Sequence, residues 1–217
     1  MTSSELKLKA KELLMGKKKN AAVALLIMML ILGVVDAILG AIFPGKSVNQ
    51  DMLGVAYTTK VDSPITSIVS FAVSLFLSLG LSSYFMKIAR GEEPEFKELF
   101  SQRNILLKAC VTSILTTILL ALGYVALIVP GVILTLMYSM ITYIYIDNPE
   151  IGIIEVMKKS REMMKGHKTQ YFCLVFSFFG WIILCGFTLG LLLFWLVPYM
   201  SVTTVLFYDS IKGTSNE

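Results

Sequence analysis

Apolar residues collect into four long stretches, and the lengths of those stretches set the architecture. The first runs from Ala21 to Phe43 and the second from Pro64 to Met86, the latter without a charge. The third, Ile105 to Ile146, and the fourth, Tyr171 to Tyr208, are far longer. Across them, 38 consecutive residues from Ala109 to Ile146 and 40 from Thr169 to Tyr208 carry no charge. A bilayer core about 30 Å thick takes about 20 apolar residues per helix. Each long stretch therefore folds back once. The pattern predicts an all-α polytopic membrane protein with six transmembrane helices in three hairpins. A membrane barrel would show short alternating segments instead. A mean hydropathy of +0.75 argues against a soluble core.

The expected spans are 21–43, 64–86, a pair within 105–146 and a pair within 171–208. In the third stretch Val129-Pro130-Gly131 is one turn signal. Gly123 is the alternative, with Pro130 then kinking the fourth span. In the fourth stretch Gly186 to Gly190 supplies the turn. Pro198 then lies inside the sixth span as a kink, because proline removes a backbone hydrogen bond.

The polar connections repeat. Lys9-Ala-Lys-Glu-Leu-Leu-Met-Gly16 aligns with Lys159-Ser-Arg-Glu-Met-Met-Lys-Gly166. Each is followed by basic residues, an amide residue (Asn20, Gln170) and a span. Such self-similarity marks a repeated unit. A looser third copy begins near Pro94, with Phe96, Leu99 and Phe100 on one face. Leu6, Ala10, Leu13 and Leu14 recur at helical spacing, as do Ile153, Ile154, Met157 and Met164. Segments 1–20, 92–104 and 149–168 are therefore expected as cytoplasmic amphipathic interfacial helices, one before each hairpin. Residues 209–217 form a tail, and the whole chain is one membrane domain.

Charge then fixes an orientation. Lys and Arg stay in the cytoplasm. Seventeen of the 19 basic residues fall before the first span, between the second and third, between the fourth and fifth, or in the tail. Only Lys46 and Lys60 lie on the other side, beside Asp51 and Asp62. Both termini are thus expected in the cytoplasm, with the first span uncleaved. Cys110, Cys173 and Cys185 lie in or at the edge of spans and suggest neither disulfide nor metal site.

The candidate chemistry is sparse. Asp36 is the one acid well inside a span, beside Gly33, Ala37, Gly40 and Ala41. A central acid is costly in a bilayer, by about 2.5–3.5 kcal/mol. It either binds a proton or cation, pairs with Lys46 or Lys60, or hydrogen-bonds a neighbouring helix. Thr66, Ser70, Ser74, Ser78 and Ser82 stripe the second span, and Thr112, Ser113, Thr116 and Thr117 mark the third. Hydroxyls at that spacing serve helix packing or line a solute path. The basic residues Lys17, Lys18, Lys19, Lys158, Lys159, Arg161, Lys165 and Lys168 form a cytoplasmic collar, either as topological anchors or as contacts for anionic lipid or an acidic partner. Asp147 and Asp209 end the fourth and sixth spans at one level, facing many lysines, and suggest a salt-bridge ring. Trp181, Trp195 and Tyr199 are expected to pack the fifth span on the sixth.

His167 is the single histidine. There is no HExxH, GxSxG, P-loop or dinucleotide fingerprint. Acid–base and metal catalysis need convergent groups. The expectation is a non-enzymatic protein without cofactor or metal. Its basic patches serve the membrane rather than nucleic acid, and it acts through lipid, a membrane-protein partner or its own copies. The alternative is a small permease, or a transporter subunit, using Asp36.

From Pro130 onward the chain resembles a bacterial family, domain-of-unknown-function family 975. The resemblance rests on Val129-Pro-Gly131, Tyr138-Ser-Met140, Asp147-Asn-Pro149, Lys159-Ser-Arg161, Met164-Lys-Gly166, Phe179-Gly-Trp181, Thr188-Leu-Gly190, Trp195-Leu-Val-Pro-Tyr199 and Phe207-Tyr-Asp209. The N-terminal half fits more loosely. The resemblance implies a bacterial integral membrane protein of about this size. It implies no reaction, ligand or cofactor.

Overall fold

The computed structural model describes residues 2–15, 17–52, 55–61, 63–188 and 190–213; the side chains of 18, 19, 48–52 and 55–61 lie outside that description. The chain is overwhelmingly helical. Helix α1 (Ser3–Leu14) precedes α2 (Lys18–Ile42), and α3 (Pro64–Ala89) follows. Then come α4 (Leu106–Ala126), α5 (Ile128–Tyr138), α6 (Ile141–Asp147), α7 (Ile153–Met163), α8 (Lys168–Phe176), α9 (Phe179–Phe187) and α10 (Leu193–Lys212). Five helical segments are long and apolar enough to cross a membrane: Asn20–Ile42, Pro64–Ala89, Phe96–Ala126, Ile128–Asp147 and Lys168–Phe187. Only 11% to 28% of their most apolar stretches is buried within the protein, so most of that surface faces outward. That is the arrangement expected of helices solvated by lipid.

Helix α10 differs from the other long helices. It is less apolar, carrying Pro198, Thr203, Thr204 and Asp209, and it is not among those five segments. Its burial explains why. Leu196, Val202, Val205, Phe207 and Tyr208 are buried in a helix that packs on α1, α2 and α3, with the Tyr171 ring of α8 against Phe207. A helix shielded by other helices needs less lipid-facing apolar surface. The core as a whole sits towards one end of the bundle, where α2 starts and α3, α6 and α10 finish. Tyr84, Phe85, Ile88, Ile144, Tyr145, Phe207 and Tyr208 are each at most 1% exposed.

Local chemistry accounts for the ends of the helices. Thr2 Oγ1 accepts from Glu5 N–H while the Glu5 carboxylate accepts from Thr2 N–H, a capping box that starts α1. Ser63 caps α3 ahead of Pro64. The α4–α5 turn falls at the extended residue Leu127, after Gly123 and just before Pro130. Pro130 thus occupies the first turn of α5, where its missing N–H costs nothing. Gly123 stays helical and lets α4 approach α5, since an added Cβ would lie 3.3 Å from Gly131 Cα. The next turn uses Gly190 at φ +83°, and Pro198 lies inside α10.

The structure departs from the sequence expectations in three places. Residues 92–104 do not form an amphipathic helix but two short 3-10 turns, Phe96–Phe100 and Arg103–Ile105. Pro94 blocks a longer helix, and the Leu99 backbone is pressed onto α3 at Gly80. The helical architecture also carries one addition, a two-stranded ribbon. Strands β1 (Lys46–Met52) and β2 (Val55–Val61) pair antiparallel, with Lys46 opposite Val61 and Asn49 opposite Thr58. Finally, the fourth-span segment breaks at Ser139–Met140, well past Pro130, and the fifth-span segment breaks at Ser177–Phe178.

The sequence repeat has a structural counterpart. In α1 the buried face is Leu6, Ala10 and Leu14. In α7 the aligned positions Val156 and Ser160 are also buried, and Met164 caps the same stripe. Each helix lays this face on the bundle: α1 on α10 and α3, α7 on α4, α5 and α6.

Candidate functional site: a charged clasp beside a basic cavity

Arg90 closes α3 at the crowded end of the bundle. Gly91 follows at φ +84°, a left-handed conformation that reverses the chain and leaves the Arg90 side chain over the helix ends. Its Nη1 and Nη2 donate to Asp147 Oδ1 and Oδ2 at 2.9 and 3.1 Å. Its Nη2 and Nε donate to Asp209 Oδ1 and Oδ2 at 2.9 and 3.4 Å. Asp147 also accepts from Tyr208 OH at 3.0 Å and from Lys212 Nζ. The side chain of Asp147 is 8% exposed, against 34% for Arg90 and 31% for Asp209.

This clasp joins the C-terminal ends of α3, α6 and α10. Two acids and two cations cancel within it. Hydrogen bonds to Asp147 and Asp209 hold the Arg90 guanidinium protonated even more firmly than usual. Both carboxylates are committed to cations, so the arrangement suits mechanical fastening rather than proton transfer. Asp147 and Asp209 meet through Arg90, which binds both. In the sequence Arg90 is one of the basic residues between the second and third spans. Its signal was the Arg-Gly pair directly after an apolar helix.

The basic collar divides. Lys17 donates to the Glu92 carbonyl at 2.7 Å, fastening the start of α2 to the loop after α3. The side chains of Lys18 and Lys19 lie outside the described residues. Lys158, Arg161, Lys165 and Lys168 come together around one cavity of about 490 Å³, with Glu162 and Met137 completing its wall. Lys159 is outside that lining. Residues 158 and 161 share one face of α7 by helical spacing, and 165 lies in the turn just after it. Gly166, at φ +87°, turns the chain so that Lys168 returns to the same space. Behind them, Ser160 Oγ donates 2.8 Å to the Met137 carbonyl, a buried bond that ties α7 to the last turn of α5 before the break.

Asp36 lies apart from both features. It is exposed on α2 and accepts a hydrogen bond from Ser70 of α3 at 2.5 Å. A Cβ added at Gly33 or Gly40 would meet nothing within 4 Å, so that face of α2 is open. The other hydroxyls of the second-span stripe bond their own helix, as in Ser74 to the Phe71 carbonyl. In the third, Thr112 meets Tyr145 OH at 2.7 Å, and Thr116 Oγ1 is buried without a partner. Tyr199 packs edge-on against Phe178 at 5.4 Å, and Trp195 stacks on Tyr199 of its own helix. Trp181 is 43% exposed and takes no part in that contact. Beyond these, Lys7 Nζ sits 4.7 Å over the Phe178 ring, and burial lowers its pKa.

No group of three or more His, Cys, Asp or Glu residues that could hold a metal ion occurs among the described residues. No curated protein and no solved structure matches the chain. A family model does match, over residues 1–136 and 124–215, so it reaches the N-terminal half as well as the motifs after Pro130. The chain therefore belongs to the family described as Protein of unknown function (DUF975).

Proposed function

We propose that this is a six-span bacterial inner-membrane protein with cytoplasmic termini, non-enzymatic, acting through its basic face on anionic lipid in envelope assembly, homeostasis or regulation. Helix α10 supplies the sixth span, shielded at the centre of the bundle. The observation that carries the reading is the charge balance at one end of the molecule. Asp147 and Asp209 are consumed by Arg90 and Lys212, whereas Lys158, Arg161, Lys165 and Lys168 share a cavity whose lining holds a single acid, Glu162. Cations gathered so closely favour an external anion, and the headgroup layer of a cytoplasmic leaflet offers anions at that level.

The test is native mass spectrometry of the protein in discs cut from its own membrane. Wild type should retain anionic phospholipid, and a variant with Lys158→Gln, Lys159→Gln and Arg161→Gln should retain less. No preference for anionic phospholipid in any form of the protein sinks the reading. Orientation has its own check: cysteine placed at position 50 should label from outside and at position 163 from the cytoplasm.

Asp36 supports a second reading, that of a small permease or transporter subunit. Its carboxylate reaches across to Ser70 inside a segment apolar enough to cross a membrane. Solute or proton movement in proteoliposomes that disappears in Asp36→Asn would favour it.

A further inference from the structure

We propose that the cavity between α7 and the start of α8 is a discrete site for one lipid headgroup carrying at least two negative charges on phosphate. The inference rests on the lipid-contact reading and sharpens it from a basic surface to a stoichiometric site.

Three features separate this cavity from a diffuse collar. The first is its construction. Lys158 and Arg161 project from one face of α7, Lys165 follows in the turn after it, and the left-handed Gly166 folds Lys168 back towards them. The opposite face of α7 is fixed in the core by Val156, Met157, Ser160 and Met163. The buried bond from Ser160 to the Met137 carbonyl holds that helix against the wall residue Met137. The cations are thus carried on an anchored element, and less order must be imposed when an anion binds.

The second is charge. The lining carries Lys158, Arg161, Lys165 and Lys168 against Glu162, a formal excess of three positive charges. One phosphodiester neutralises one of them. Two phosphodiesters on one headgroup, or one phosphomonoester with about −1.5 to −2 charge, neutralise more. The planar guanidinium of Arg161 suits two phosphate oxygens at once, while the lysines act as point charges around them.

The third is size and place. At about 490 Å³ the cavity is in the range of small-molecule sites, about 300–1,000 Å³, with room for a headgroup larger than one phosphate. Met137 belongs to the apolar segment Ile128–Asp147, and Lys168 begins the segment Lys168–Phe187. The cavity therefore lies against the middle of one such segment and the start of the other. Cations set against apolar, lipid-facing segments favour a lipid headgroup over a soluble phosphate.

The experiment uses the full-length purified protein in discs of phosphatidylcholine doped with diphosphatidylglycerol or with phosphatidylglycerol at equal total charge. Bound lipid is counted by native mass spectrometry. One diphosphatidylglycerol per chain is expected, retained more strongly than phosphatidylglycerol. The double variant Arg161→Gln, Lys165→Gln should weaken retention by about tenfold or more. Both side chains are exposed, so folding should be unaffected, and size exclusion checks it. Glu162→Gln removes the one acid and should tighten retention. Anionic lipid retained equally by wild type and both variants, but lost on Lys9→Gln with Lys11→Gln, overturns this site and leaves the broader reading standing. No preference for anionic lipid in any form overturns both. Inorganic phosphate or glycerol phosphate that binds lipid-free protein and is lost in the double variant overturns the lipid assignment in favour of a soluble phosphate.

Discussion

The guanidinium of Arg90 grips the carboxylate of Asp147 through two parallel hydrogen bonds, 2.9 and 3.1 Å long, across 57 positions of sequence. The same guanidinium reaches Asp209, so one side chain fastens three helix ends. Replacing Arg90 by Gln leaves Asp147 nearly buried with only Lys212 and Tyr208. Breaking a fully buried pair costs about 3–5 kcal/mol. The partial exposure of Arg90 brings the expected loss to about 2–3 kcal/mol, read as a lower unfolding midpoint in detergent. Arg90→Lys should recover only part, because an ammonium cannot make the paired contact. Wild-type stability in Arg90→Gln would show that the clasp is incidental.

Gly80 carries a sharper steric demand. A Cβ built there would clash with the Leu99 carbonyl oxygen, so the 3-10 turn at Phe96–Phe100 rests directly on α3. Gly80→Ala must push that turn away. Overpacking of a tight contact costs about 1–3 kcal/mol. The midpoint should fall accordingly, with faster amide exchange around Leu99. An unchanged exchange pattern would contradict the close approach.

Ser160 offers a third test, at the break in the fourth-span segment. Its hydroxyl satisfies the Met137 carbonyl two residues before Ser139, where the helix gives way. Ser160→Ala leaves that buried acceptor unpaired, at a cost of about 1–3 kcal/mol. Ala10, the aligned residue of α1, is buried without such a bond. The reciprocal change Ala10→Ser should therefore bring no gain, and a stabilised Ala10→Ser variant would contradict this account.

That pair also shows what the sequence could and could not reveal. The α1/α7 repeat was legible because both helices bury one stripe, and a buried stripe imposes helical spacing on apolar residues. The charge-free runs were legible for a similar reason: lipid-facing segments must be apolar all along their length. The breaks at Ser139–Met140 and Ser177–Phe178 had no glycine or proline to announce them. The first is supported by Ser160 from another helix, a tertiary contact without local signature. The pairing of Asp147 and Asp209 through Arg90 was half legible, since acids and bases at one level must meet, but the choice of Arg90 over its basic neighbours depends on the turn at Gly91. The third interfacial helix failed because Phe96, Leu99 and Phe100 fit a helical face and equally a short 3-10 turn docked on α3. The β1–β2 ribbon went unforeseen because its first strand, Lys46–Met52, is polar.

The last test concerns Asp36, whose contact with Ser70 joins α2 to α3 at 2.5 Å. An amide side chain keeps an oxygen that accepts the Ser70 hydroxyl, so Asp36→Asn should leave the midpoint within about 0.5 kcal/mol of wild type. Asp36→Leu deletes the acceptor and should cost more, about 1 kcal/mol for a lost hydrogen bond in an exposed setting. Ser70→Ala should match Asp36→Leu, and combining the two should add nothing further, because they remove the same bond. This pattern is expected if Asp36 serves helix contact alone. A carboxylate that exchanges protons or cations behaves differently: Asp36→Asn would then preserve stability and yet abolish flux in proteoliposomes. Stability and flux measured on this one variant therefore separate a packing residue from a coupling residue.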